Sequence, residues 1–548
     1  MTSPLVVCFP PARLCFLMMR VLLAVLLAGF WTVRSAQAQA DGLAPVSGVS
    51  SNSIQVLEPT SDALWIGPFL TVYLEDEARF LFADTPRLQD SDNVVFAIDA
   101  TQPAPQAPPT VWASLAFDTG NGTPGAGGFL VSTDGGTAFD FRPPHLDTIT
   151  DTTIAYGDAT FPAIPASQAA NNAVQSIDND PATGTLWIAG GQSGLRRSTD
   201  GGETWERAVL PPDSLLFVAP NDTAPFLVGP PVSETRGFRN HVAFSVRVDE
   251  TGTVWAGTAG GINQSAPETV RPSGDRAWTR TVHNGTTTGL TGNNVVALAE
   301  QPLPTTRNPI WMATWASGQS PGERFGVTVT RDGGATFEQR LIGEQVFDFA
   351  FRGETVYAAA ESGLHIWQPD QRTWQTVRDF RLADDDDFLR NDAQPQAVAT
   401  TSDALWVATT DGLLRLPRAQ EPALLRQDPA TQGPSWDLFR TDVPVNPDEP
   451  SDAVPDVSTY AYPNPFSPSN DRVVRIRYAL ASPQDVTIEI FDFGMNRVRT
   501  LQDQKPAGQQ ESVWDGTDSR GLRLPNGTYF YTVETNDGTE RGKILLVE

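Results

Sequence analysis

Few residues in this chain are of a type and spacing able to do chemistry. The four histidines, His145, His241, His283 and His365, are scattered singly, and none stands at a ligand spacing such as H-x3-H. Both cysteines, Cys8 and Cys15, lie at the amino terminus, so the rest of the chain has no disulfide, thiolate ligand or cysteine nucleophile. The run Asp384-Asp385-Asp386-Asp387 sets acids side by side where a calcium loop spaces them, and it reads as a solvated loop. Two opposed carboxylates could hydrolyse a glycoside, but among 65 acidic residues no pair stands out. No metal, cofactor or catalytic set is expected.

The elements that would position any site are short strands. Gly and Pro number 45 each in 548 residues, and the apolar residues fall in brief runs between turn signals, which predicts an all-β chain. The amino terminus differs. Arg20 precedes the apolar run Val21 to Phe30, and Ala36-Gln37-Ala38 follows as a small-residue cleavage signature, so residues 1–38 read as a secretory signal, with Met18 or Met19 as an alternative start. The run is short for a bilayer span, and no transmembrane helix is expected in the mature chain. A net charge of −27, carried almost entirely before residue 459, makes nucleic acid and anionic membrane poor partners.

One pattern recurs seven times: an apolar residue, an aromatic, then small or β-branched residues. The aromatics are Trp65, Trp112, Trp187, Trp255, Trp311, Tyr357 and Trp406. Their spacing suits a four-stranded propeller blade with variable insertions. Blades stack face to face around an axis, so each second strand is covered on both sides, and small residues let neighbouring sheets approach. Asn294 to Glu300, Ile310 to Thr314, Phe325 to Thr330 and Thr336 to Leu341 read as the four strands of one blade. The prediction is a seven-bladed β-propeller over 43–440, then a proline-rich linker over 441–458.

A second pattern, Ser/Thr-x-Asp-x-Gly-x-Thr-Trp/Phe, is complete at Ser198 to Trp205 and is repeated at Thr330 to Phe337 and at Ser132 to Phe139, with Ala138 for Thr. It resembles the Asp-box (BNR) repeats of sialidase-like propellers. Asp134, Asp200 and Asp332 are expected to accept N–H bonds across a tight hairpin. Gly136, Gly202 and Gly334 supply positive φ, and closing aromatics such as Trp205 and Phe337 plug the gap beside the next blade. The segment Asp249 to Thr258 with Gly261-Ile262, echoed by Ser193-Gly194-Leu195 and Asp411-Gly412-Leu413, is similar to two-component-regulator propeller repeats. Both resemblances imply fold rather than activity. Sialidases also need an arginine cluster, a tyrosine nucleophile and an Arg-Ile-Pro segment; no such segment is present, and nothing around Tyr156 or Arg236 favours those roles.

From Tyr462-Pro463-Asn464-Pro465-Phe466 to the end, through Val486 to Asp492, Val513-Trp514-Asp515-Gly516 and Gly527 to Tyr531, the chain resembles FlgD-type immunoglobulin-like domains and the related type A sorting domains of type IX secretion (T9SS). Val486, Ile488 and Ile490 alternate with Thr487 and Glu489, as one buried and one wet face require. A small β-sandwich over 459–548 is expected. The resemblance implies export and attachment or release at the outer membrane, with the secretion machinery as partner; a plain spacer is the alternative.

In a propeller the second-to-third turns and the blade-to-blade crossings share one face. Three long insertions, about 141–173, 206–240 and 376–395, are expected there, and Gln192, Trp315, Glu361 and Asp411 should open onto it as a ligand-binding surface. Padding of the rim is the alternative. The reading is an exported extracellular or outer-membrane-surface scaffold that recognises a glycan or surface protein. A sialidase-like secreted glycan hydrolase is the first alternative. A type IX secretion component of the PorZ type, which also pairs regulator-like propellers with a sorting domain, is the second.

Overall fold

A computed structural model describes residues 42–46, 48–89, 92–102, 107–120, 122–232, 237–265, 274–304, 307–383, 389–390, 393–426, 433–440, 458–469, 471–536 and 538–548. The signal segment with Cys8 and Cys15, Arg236, Asp384 to Asp387 and linker residues 441–457 lie outside the described residues.

Among the described residues, seven antiparallel sheets that each contain a four-stranded meander precede residue 441, with a two-stranded sheet, Thr153–Tyr156 and Ala159–Pro162, inserted between the second and third. Their first strands are Leu57–Pro59, Val94–Thr101, Ser176–Asp180, Ala243–Val248, Asn294–Glu300, Val346–Arg352 and Pro395–Thr400. These strands touch in that order, and the last touches the first, which closes a ring and makes the sheets the blades of a propeller. We number the sheets 1 to 7. All seven marker aromatics lie in second strands and are buried, because each second strand is covered by both neighbouring sheets. Alanine or glycine near them, as in Trp255-Ala256-Gly257, leaves no bulk between the layers: a Cβ on Gly257 would stand 2.4 Å from the carbonyl oxygen of Val295 in the next sheet.

Sheet 5 runs Asn294–Glu300, Ile310–Trp315, Gly326–Thr330 and Glu338–Arg340, within two residues of the reading from sequence. Two sheets carry a fifth, outermost strand that the repeat pattern does not contain: Leu43–Val46 on sheet 1 and Phe217–Val218 on sheet 4.

The three Asp-containing turns join third to fourth strands and repeat one geometry. The Asp200 carboxylate accepts the Thr204 N–H at 3.0 Å and the Ser198 hydroxyl at 2.7 Å, while the Ser198 hydroxyl accepts the Gly202 N–H at 2.9 Å. Asp332 and Asp134 hold Thr336 and Ala138 in the same way, at 2.8 and 3.1 Å. The hairpins seal the ring against the preceding sheet, not the following one. Phe139 packs on the core around Trp65, Trp205 stacks on Phe129 at 5.4 Å, and Phe337 joins the cluster around Trp255. The hairpin sets Gly202 (φ 80°) against Trp112 of the preceding sheet, where a Cβ would lie 2.7 Å from the indole. Gly202→Ala should therefore destabilise the ring by about 1–3 kcal/mol through positive φ and overlap together. Urea unfolding checks this, and an unchanged midpoint would show that sheets 2 and 3 yield freely.

The long insertions leave the expected face. Residues 141–173 start beside the sheet 3 turn, where the His145 ring meets the Ser193 hydroxyl at 2.7 Å, and descend the outer flank of sheet 3. At the far end of that sheet the Tyr156 hydroxyl donates to the Arg276 carbonyl at 2.8 Å, and the chain returns to pair Gly125 with Ala170. The described residues of 206–240 follow the flank of sheet 4 similarly, and the two insertions join in a bridge between Ala163 and Val228. Leu382 likewise bridges to Trp436 beside the outer strand of sheet 7. The physical reason is apolar content. Tyr156, Phe161, Val218 and Val228 are buried together with Trp187 and Trp278, and water-facing loops would leave them uncovered.

Candidate functional site

Of the four residues expected on a recognition face, Gln192, Glu361 and Asp411 sit in turns after second strands and Trp315 ends one, all at the same end of sheets 3, 5, 6 and 7. Gln192 and Glu361 are exposed there, with their N–H groups fixed to the carbonyls of Asn171 and Gln345 at 3.0 Å. Trp315 is half-buried: its indole donates to the Val346 carbonyl at 2.8 Å and lies against Phe325 and Phe347. Asp411 is only 3 % exposed; it pairs with Arg440 at 2.6 Å and accepts the Arg390 N–H at 2.8 Å. The structure thus brings no two of these side chains into contact. It leaves Gln192 and Glu361 open and uses Asp411 and the polar atom of Trp315 internally.

The histidines also serve the fold. Burial holds His145 and His241 down to about 3, so both are neutral at physiological pH. His365 lies between the hydroxyls of Ser362 and Thr376, each 3.0 Å away, and His283 sits 2.7 Å from the Leu290 carbonyl.

A set of charges absent from the sequence reading lines the centre of the ring. Glu58, Asp99, Asp178 and Arg247 stand in the first strands of sheets 1 to 4, each directly across from its marker tryptophan. Glu300 and Asp348 belong to the first strands of sheets 5 and 6. First strands of neighbouring blades splay apart, so their backbones cannot pair fully, and carboxylates bridge the gap. Asp99 accepts the Asn179 N–H, Asp178 accepts that of Val248, and Asp348 accepts that of Val398 at 3.0 Å. Each link runs to the following sheet. Burial, with the charge of Asp178 second, raises Asp99 to about 7, and burial raises Asp348 to about 6. Burial also raises Glu58, Asp178 and Glu300, while Arg247, between Asp178 and Glu300, is their single described cationic neighbour in these strands. Asp99, Asp178 and Asp348 thus stitch neighbouring sheets together, their carboxylates accepting backbone N–H groups. The cue in the sequence was an acid or arginine in mid-strand, opposite the marker aromatic.

The carboxy-terminal sandwich packs a three-stranded sheet (Tyr460–Tyr462, Val474–Leu480, Gly508–Trp514) on a four-stranded one (Gln484–Phe491, Arg497–Lys505, Gly527–Thr535, Gly538–Leu546). Val486, Ile488 and Ile490 point inward against Trp514, Tyr531 and Val533, while Thr487 and Glu489 face out. Residues 467–539 match the FlgD Ig-like domain. This FlgD Ig-like domain meets the ring where Asp471 pairs with Arg390 at 3.4 Å, and the Arg390 backbone is the one held by Asp411. Asp411 therefore braces the joint between ring and domain.

No curated protein matches the chain. Among solved structures it is similar to PorZ, an essential bacterial surface component of the type IX secretion system of Porphyromonas gingivalis, with 15 % identity, a TM-score of 0.42, and coverage of 92 % of this chain and 61 % of that one. It is also similar to a GH74 xyloglucanase from Xanthomonas campestris, with 11 % identity, a TM-score of 0.47, and coverage of 92 % and 74 %. A third is the extracellular domain of a one-component system from B. thetaiotaomicron, with 12 % identity, a TM-score of 0.25, and coverage of 92 % and 76 %. The chain spans less than two thirds of the PorZ structure. At these identities and scores the likeness assigns no activity. Among the described residues no helix is long and apolar enough to cross a membrane.

Proposed function

We propose that this chain is an exported, surface-held scaffold: a rigid ring that recognises an extracellular glycan or protein, joined to a C-terminal domain that delivers or tethers it through type IX secretion. The match of residues 467–539 to the FlgD Ig-like domain carries the reading. That module has a core of its own and is braced against the ring through Asp471 and Arg390, as a tether transmitting load to its cargo needs. Recognition is assigned to the turn-bearing end, where Gln192 and Glu361 stand exposed on rigid hairpins.

Deleting residues 459–548 should move the protein from the cell-surface fraction to the periplasm or the medium while the ring stays folded. Unchanged surface retention would remove the sorting role. For recognition, Gln192→Ala together with Glu361→Ala should abolish binding on an array of glycans and surface proteins without altering the melting temperature, and an unaltered binding pattern would remove that end as the recognition surface.

A further inference from the structure

At the opposite end of the ring, a half-open crevice between sheets 3 and 4 is rich in hydrogen-bond donors, and the carboxylate in its wall, Asp275, already accepts the Gly157 N–H at 3.0 Å. Its walls include Trp187, Trp278, Tyr156, Arg197, Arg207 and Arg276, around about 20 Å³ of free space. That volume admits one water-sized group, or the head of an oxyanion whose remainder stays outside. Arg207 is used by Asp147 at 2.8 Å and the Ile164 carbonyl at 3.0 Å, and Arg197 is held by Glu206 at 2.7 Å. Arg276 is different. Its guanidinium lies 5.3 Å over the Trp187 ring, one arm reaches the Ser265 carbonyl at 3.4 Å, and its Nε is buried without an acceptor. Trp187, 1 % exposed, has a buried Nε1 that is also unpaired.

The ring's own repetition identifies what is missing. In sheets 4, 5 and 7 the marker tryptophan donates its Nε1 to a side-chain oxygen: Trp255 to Asp249 at 2.9 Å, Trp311 to Gln301 at 2.9 Å and Trp406 to Glu75 at 3.1 Å. In sheet 3 the corresponding acid, Asp180, turns back on its own longer hairpin and takes Ala182 and Thr183 instead. Trp65 is unpaired as well, but Leu43 and Gly136 close over its position. At Trp187 an unpaired indole shares a cavity with an unpaired guanidinium nitrogen. A buried donor without an acceptor costs about 1–3 kcal/mol, so a ligand supplying two oxygens is favoured there. The chain's acidity does not forbid it: at physiological salt charges beyond about 8 Å are screened, and Asp275 in the wall is committed to the Gly157 N–H.

We infer that this crevice binds a small oxyanion, a carboxylate or phosphate group, with Arg276 and Trp187 as its donors. Calorimetric titration of the full chain with inorganic phosphate, acetate, D-glucuronate and uncharged glucose tests it. One anion per chain should bind, glucose should give no heat, and Arg276→Gln should weaken binding at least tenfold, with Trp187→Phe weakening it further. Preference for glucuronate over acetate assigns an acidic sugar; preference for phosphate assigns a phosphate group. Absence of binding by any anion, leaving water as the occupant, or equal affinity in Arg276→Gln overturns the inference. If Trp187→Phe fails to fold, Arg276→Gln, on a half-exposed turn, still decides. The crevice is remote from Gln192 and Glu361, so its failure leaves the surface-scaffold reading intact.

Discussion

Trp406→Ala should cost the ring about 3–5 kcal/mol, a large share of the 5–15 kcal/mol that stabilises a typical domain. Trp406 sits at the seam where sheet 7 meets sheet 1, the point at which the two ends of the ring are joined. It is fully buried in one cluster with Leu57, Leu64, Ile66, Tyr73 and Phe80 of sheet 1. The Tyr73 ring meets it edge-on at 4.9 Å, and the Arg415 guanidinium lies 5.6 Å over it. Its Nε1 donates across the seam to Glu75, whereas Trp255 and Trp311 find their acceptors within their own sheets. Alanine would open a cavity and also strip a donor from a buried carboxylate whose other oxygen already lacks a hydrogen bond. Trp406→Phe keeps most of the packing and should cost less, about 1–2 kcal/mol. Urea midpoints give the ranking, and limited proteolysis should show sheet 1 released first in the alanine variant. A loss below about 1 kcal/mol would mean that closure rests elsewhere.

What could be read in advance follows from how each feature meets water. A second strand covered on both faces has to be apolar throughout, so seven aromatic-small segments announce seven layers without any long-range information. The Asp200 type of hairpin is equally local: donor, acceptor and positive-φ glycine fall within eight consecutive residues. Glu58, Asp99 and Asp178 are illegible because a charge in mid-strand reads as a wet edge, and the partners of Asp99 and Asp178 are N–H groups of another blade. Asp411 was misplaced for the same reason: its partner Arg440 is distant in sequence and borders the linker. The insertions carry a local cue. The pair Gly157-Asp158, flanked by Thr153–Tyr156 and Ala159–Pro162, is a hairpin signal, and buried Tyr156 and Phe161 gave it a face to hide.

The charges at the centre of the ring also set how the fold responds to acid. A carboxyl whose pKa is higher folded than unfolded binds its proton more tightly in the native state, so it penalises folding above its folded pKa and ceases to do so as pH falls toward the unfolded value near 4. Asp99, raised to about 7, and Asp348, raised to about 6, place this relief between pH 8 and 5, with Glu58, Asp178 and Glu300 acting in the same direction. Asp147, held low by Arg196 and Arg207 against the effect of its burial, works oppositely and loses its contribution only below the ordinary carboxyl range. The melting temperature should therefore rise from pH 8 to about 5 and fall on further acidification. Asp99→Asn should raise stability at pH 8 by about 1–3 kcal/mol and flatten the slope between pH 6 and 8, because it removes one of two facing negative charges and leaves an oxygen for the Asn179 N–H. A wild-type melting temperature that climbs from pH 5 to 8, or a slope that survives Asp99→Asn, would mean that Arg247 already neutralises these carboxylates and that the ring carries no electrostatic strain. The penalty persists in the native ring because Asp99, Asp178 and Asp348 each tie their strand to the next blade, and an apolar residue in place of any of them would leave a buried N–H without an acceptor.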